Sequence, residues 1–221
     1  MAHRKIYACL FILIMTFILH GCSGDKVRNL AKSDIDIASD TVVKSLDDYI
    51  RRLAYELYRT NPKELAKSPG IGLKQRLNQI VDYPIEVAYK EIDNKQQIKA
   101  IELALDDSYE GDRVFALMIG ISSMIRNSYD NQREFFLFDT IDPQKLYNSS
   151  YNLQLLKQKL ADTSSQLLDI DTNYGKANNA YALIEKISTT QDLMSRIISD
   201  KTSRIINKTL IGTATAFVPI I

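Results

Sequence analysis

Glu134, Asp139 and Asp142 flank the rings of Phe135, Phe136 and Phe138. An apolar setting raises a carboxyl's pKa, and a second carboxylate nearby then completes the acid and base or nucleophile pair of a glycoside hydrolase. Glu134 and Asp139 are the catalytic pair this segment could supply. Competing duties are also legible: Asp142 precedes Pro143 as a helix cap, Arg133 could pair with Glu134 or Asp139, and the phenylalanines could simply plug a core. Two further runs alternate oxygen ligands. Asp169, Asp171 and Asn173 have the spacing that opens a calcium loop, but Gly175 comes one residue late and the twelfth position is Ala180. Asp106, Ser108 and Glu110 precede Gly111, yet the twelfth position there is Leu117. A simpler reading of the second run is that Gly111 ends one helix and Asp112 caps the next. For the first, a turn rich in Asp, Asn and Gly accounts equally well for its residues.

The beginning of the chain carries different chemistry. Met1 to Lys5 form a positive stretch, and Ile6 to Leu19 are apolar and too short to cross a bilayer core, which takes about 20 residues. This is the anatomy of a signal peptide, with a permanent membrane anchor as the alternative. Its end, Leu19-His20-Gly21-Cys22, resembles the lipobox of bacterial lipoproteins, although His20 stands where a small or hydroxyl residue is usual. The resemblance implies cleavage after Gly21 and acylation of Cys22, so that residues 1–21 are lost. Covalent lipid is then the only attached group expected. Membrane lipid becomes a partner through the acyl anchor, since two or three chains hold stably where one does not. In enterobacterial sorting, Ser23 after the cysteine implies release to the outer membrane, with the domain facing the periplasm. An ordinary signal peptide with a chance cysteine is the plainer reading.

That cleavage would take away both histidines, His3 and His20, together with Cys9. The mature chain would hold no imidazole and no free thiol. Ser-His-Asp and Cys-His nucleophilic sites, His- or Cys-ligated zinc and His-ligated haem are thereby excluded, and no cofactor is expected. Lys+Arg falls from 28 to 26 against 27 Asp+Glu, so the formal charge moves from +1 to −1 and nothing global attracts nucleic acid.

About 200 mature residues can bury one core, so residues 40–221 are expected to form one domain behind a tether over residues 22–39, of roughly 60 Å at full extension. From Asp40, Val43, Leu46, Ile50, Leu53 and Leu57 share one helical face, and Asp47/Arg51 and Asp48/Arg52 lie at i,i+4 on the exposed side. Asn61-Pro62 stops that helix, and Pro69-Gly70 with Gly72 punctuates a short successor. Residues 73–92 are ambiguous between helix and extended chain, while a helix is expected over about 94–107. Val114 to Ile125 is apolar nearly all round, the mark of a helix buried on every side. Asp142-Pro143 opens another helix through Leu160. Ala180, Leu183, Ile187, Met194, Ile198 and Ile205 trace a long last one. The fold class is all-α, a bundle of five or six helices. The apolar residues 210–221 are expected to dock back on it, with a partner groove or the membrane interface as alternatives.

Three segments, Asn61-Pro62-Lys63-Glu64-Leu65, Gly111 to Met118 and Gln144 to Ser149, resemble a family of uncharacterised proteobacterial lipoproteins. That resemblance implies the compartment and no activity. The function expected is a noncatalytic envelope lipoprotein that binds an envelope protein or peptidoglycan. The alternative is a carboxylate-dependent hydrolase of envelope glycans.

Overall fold

The structure, a computed structural model, describes residues 32–82, 88–162, 168, 180–208 and 216–220. It is all-helical: α1 (Asp34–Thr60), α2 (Pro62–Ala66), α3 (Leu73–Val81), a 3-10 turn (Lys90–Ile92), α4 (Gln97–Leu105), α5 (Arg113–Ser128), α6 (Pro143–Asp162) and α7 (Ala180–Thr202). Six of the seven α-helices among the described residues have nine residues or more, and α2 is the short helix between Asn61-Pro62 and Pro69-Gly70.

The first helix starts six residues earlier than Asp40, so the expected tether over 22–39 gives up its last third to the domain. Ser33 and Asp36 explain why. The Ser33 amide and hydroxyl donate to the Asp36 carboxylate at 2.6 and 2.7 Å, and the Asp36 amide donates back to Ser33 Oγ at 3.4 Å. This reciprocal box satisfies donors that the helix start leaves open. Asp40 is thereby freed from capping and instead accepts the Phe135 amide at 2.8 Å and pairs with Lys32.

Val43, Leu46, Ile50, Leu53 and Leu57 are buried as their spacing requires. The expected Asp47/Arg51 pair is not the one formed: Arg51 reaches across to Asp82 and Asn78 at the end of α3, while Arg133 approaches Asp47 at 3.7 Å. α5 is the central rod, with thirteen of its sixteen residues buried. It is crossed by α4 at Gly120, where an added Cβ would lie 2.6 Å from Ile101 and 2.8 Å from the Gln97 carbonyl. Ser123 of α5 accepts the Gln97 amide at 2.7 Å and so closes the start of α4. α6 pairs extensively with α7, and α1 packs on α7, α3 and α5.

Asp142 accepts the Gln144 amide at 2.8 Å, as a cap before Pro143 should. The last helix stops at Thr202. Ser203 turns to positive φ, and Ile205, expected on the apolar face, is 93% exposed. The described end of the chain does dock on the bundle. Asn152 donates to the Val218 carbonyl and accepts its amide, both at 2.8 Å, Asn148 holds Pro219 at 3.0 Å, Asn127 holds Ile220 at 2.9 Å, and Ile220 is buried. No helix among the described residues is long and apolar enough to cross a membrane.

Candidate functional site

The densest arrangement of charge lies under the end of α1, among α2, α3, the 3-10 turn and α5. Its centre is Arg76, whose side chain is fully buried although it occupies a face of an otherwise ordinary short helix. The guanidinium stacks 3.9 Å from the Phe115 ring. Its two terminal nitrogens meet the Glu91 carboxylate at 2.7 and 2.5 Å, and they also reach Gln79 and Ser68. A planar fork of this kind is what arginine offers and lysine does not. Tyr89 completes the aromatic wall, edge-on to Phe115 with centroids 4.8 Å apart.

Asp112 sits on the other side. One oxygen accepts the Phe115 amide at 2.9 Å, which is the cap of α5 expected of Asp112, although α4 ends at Leu105 and not at Gly111. The second accepts the Tyr58 hydroxyl at 2.9 Å and lies 3.6 Å from Arg76 Nε. Burial drives the Asp112 carboxyl up to about 6, against the opposing pull of the Phe115 amide, the Tyr58 hydroxyl and Arg76. Burial followed by Asp112 raises the Tyr58 hydroxyl as well, so that it remains a donor. For Arg76 burial is the largest single influence and pulls downward, but the bond and charge of Glu91 together with Tyr58 and Asp112 outweigh it, and the net shift is upward.

A second clasp adjoins the first. Glu64 of α2 accepts the Arg113 amide and Lys67, each at 2.7 Å. The Arg113 side chain turns back to the carbonyls of Ala104, Asp106 and Asp107 at 3.0, 2.6 and 3.0 Å. It thus closes the C-terminal end of α4 with a cation, the sign that end favours. Asp106, whose oxygen the sequence offered to calcium, instead accepts the amide and hydroxyl of Ser108, and these bonds lower its pKa. Tyr109 folds over Gly111 and donates to the Glu91 carbonyl at 3.2 Å. Burial and then the nearby Asp112 push its hydroxyl up to about 12.

These groups are spent on one another, and what they can do chemically is hold α1 to α5 and the 3-10 turn together and exchange one proton near pH 6. An acid whose folded pKa is raised stabilises the fold at low pH, and that contribution is lost as pH rises through the folded value. Between the ordinary 3.8 and about 6, Asp112 should therefore make the domain about 2 kcal/mol more stable at pH 4.5 than at pH 7. The Asp112→Asn variant is expected to lose that increment. Urea unfolding of both proteins at the two pH values measures it, and an unchanged difference between them would contradict the assignment.

Glu134 and Asp139 do not share this centre. Asp139 accepts the Phe136 amide at 2.8 Å within its own turn, and Glu134 is exposed. Arg133 pairs with neither, being turned to the Val81 carbonyl and Asp47. Of the three rings, Phe135 is buried against Tyr129, Phe136 lies half-buried under Lys32, and Phe138 is 93% exposed, so one phenylalanine rather than three plugs the core. A partly enclosed cleft is lined by Ile80, Gln97, Ile119 and Ser123, and its roughly 70 Å³ would admit a few waters rather than a sugar. No group of three or more metal-ligating side chains occurs among the described residues. Asp169, Asp171, Asn173 and Cys22 lie outside the described residues.

Reasoning from sequence missed Arg76, because a lone arginine in an amphipathic helix is usually solvated. The available signal was weak: Arg76 lies at i+3 from Leu73 and i−4 from Ile80, on the apolar side. The chain matches no protein-family model, and no curated protein or solved structure matches it significantly.

Proposed function

We propose that the chain is a lipoprotein precursor whose mature form is acylated on Cys22 and displays the helical domain on the periplasmic side, at the outer membrane by virtue of Ser23. The observation that carries this reading is the positive start and short apolar run ending in Leu19-His20-Gly21-Cys22. The domain acts as a noncatalytic binding or structural protein toward an envelope protein or peptidoglycan. Support comes from the absence of histidine and free thiol after Cys22, and from the engagement of the buried charges in internal clasps. The glycan-hydrolase alternative gains nothing from Asp139, which is committed to its own turn.

Metabolic labelling with an alkyne fatty acid tests the anchor. The wild-type chain is expected to take up label and to lose residues 1–21, whereas Cys22→Ala should do neither. Equal labelling of the two would refute it.

A further inference from the structure

Two apolar side chains stand 93% clear of the protein, Phe138 in the connection before α6 and Ile205 just past α7, with Leu137 at 62% beside the first. They belong to one end of the bundle. Phe138 is five residues ahead of Pro143, the first residue of α6. Ile205 is two residues ahead of Asn207, whose amide donates to the Gln144 side chain at 2.7 Å, and Lys208 lies over the Tyr147 ring at 5.4 Å. The same connection is fastened to the first turns of α1 through the Phe135 amide and Asp40, and its Phe136 ring lies under Lys32. Both exposed apolar groups therefore flank the place where the folded domain takes over from the chain leading back to Cys22.

The exposed charge beside Ile205 is mainly positive. Lys201, Arg204 and Lys208 are exposed against a single Asp200. With Arg196 and Ser199, Arg204 and Lys208 border an open hollow of about 490 Å³. In the Phe138 connection Asp130 pairs with Lys145 at 2.9 Å and Asp139 accepts the Phe136 amide, while Glu134 is exposed. Bulky apolar tips among exposed cations are the composition that enters the boundary between headgroups and acyl chains, to a depth of roughly 5–10 Å.

From these placements we infer that this end of the bundle is a membrane-docking surface: Phe138, Leu137 and Ile205 insert at the interface of a bilayer while Arg204 and Lys208 meet anionic lipid phosphates. The inference rests on the anchoring reading for its geometry. Ten residues separate Cys22 from Lys32, a reach of at most roughly 35 Å, whereas α1 alone is about 40 Å long. The acyl anchor thus keeps the Phe138 end within roughly 35 Å of the lipid, and docking through that end sets Lys63, just past the far end of α1, away from it.

The test uses the full chain in vesicles of phosphatidylethanolamine and phosphatidylglycerol. An environment-sensitive fluorescent amino acid replaces Phe138, Ile205 or, as control, Lys63. With brominated acyl chains in the vesicles, emission from positions 138 and 205 is expected to fall about twofold, and emission from position 63 to stay constant. Arg204→Glu with Lys208→Glu should reduce the quenching. Unquenched, water-like emission at 138 and 205 overturns the inference. So does a blue shift that brominated lipid leaves untouched, which would assign the surface to a second copy or another protein. Mass spectrometry of the same sample separates the two ideas: an unacylated Cys22 ends the anchoring reading, while the retained apolar residues 6–19 still hold the chain to the vesicle and the quenching still decides the docking surface.

Discussion

Replacing Arg76 with methionine is expected to destabilise the domain by about 4 kcal/mol, because removing one member of a buried ion pair strands its partner. Methionine keeps most of the stem packed on Phe115 and removes the charge. Glu91 can recover some hydration, its side chain being 36% exposed, but Asp112 cannot, at 3%. The stranded Asp112 should then hold its proton to higher pH than in the wild type, since Arg76 is one of the groups that keep its pKa from rising further. For a domain of this size the loss corresponds to a fall in Tm of roughly 8–16 °C. In the double variant Arg76→Met/Asp112→Asn the cost should be smaller than the sum of the two single changes, as it is for groups that act through one contact. Thermal unfolding of the four proteins at pH 7 checks this, and strict additivity would show that the pair does not interact.

The second large effect is steric. Gly120→Val should cost about 3 kcal/mol, since overpacking in a close-packed interior forces the backbone itself to move. The atoms in the way are the Gln97 carbonyl at 2.8 Å and the Ile101 amide at 2.8 Å, along with Ile101 Cγ1 at 2.6 Å. α4 cannot slide freely, because its first amide is held by Ser123 and its last carbonyls by Arg113. Gly72→Ala is the control: nothing lies within 4 Å of its added Cβ, and its φ is negative, so the change should stay within about 0.5 kcal/mol of wild type. Denaturant unfolding of both variants distinguishes them, and equal midpoints would contradict a tight crossing at Gly120.

The helices with long apolar stripes were legible because a period near 3.6 repeated over several turns leaves little choice. Val43 to Leu57 and Ala180 to Ile198 behave as that period requires, and the mostly apolar run from Val114 to Ile125 is the buried rod. Boundaries were less legible where two caps compete. Asp40 is an acceptable helix cap by residue type, but Ser33 with Asp36 closes a reciprocal box, and a box satisfies two donors where a lone Asp satisfies one. Ile205 continues the periodicity of α7, yet the chain turns at Ser203 and leaves it in water.

The clasp around Arg76 rests on Glu91, 15 positions away, and on the Tyr58–Asp112 bond across 54, and no local pattern specifies such partners. The same is true of Asn127, Asn148 and Asn152, which hold backbone groups of residues 218–220 from 66 to 93 positions away. Asp112 was legible, since a helix cap is a local feature. Its second role, as acceptor for Tyr58 and neighbour of Arg76, was not.

The proposed compartment turns on Cys22 being the first residue of the mature protein and carrying lipid. The most direct measurement is the intact mass of the membrane-extracted chain, together with that of its N-terminal peptide. The expected result is a chain lacking residues 1–21 whose first residue is a cysteine bearing a diacylglyceryl thioether, with or without a third acyl group as an amide on its amine. A chain still beginning at Met1, or one cleaved with an unmodified Cys22, would contradict it.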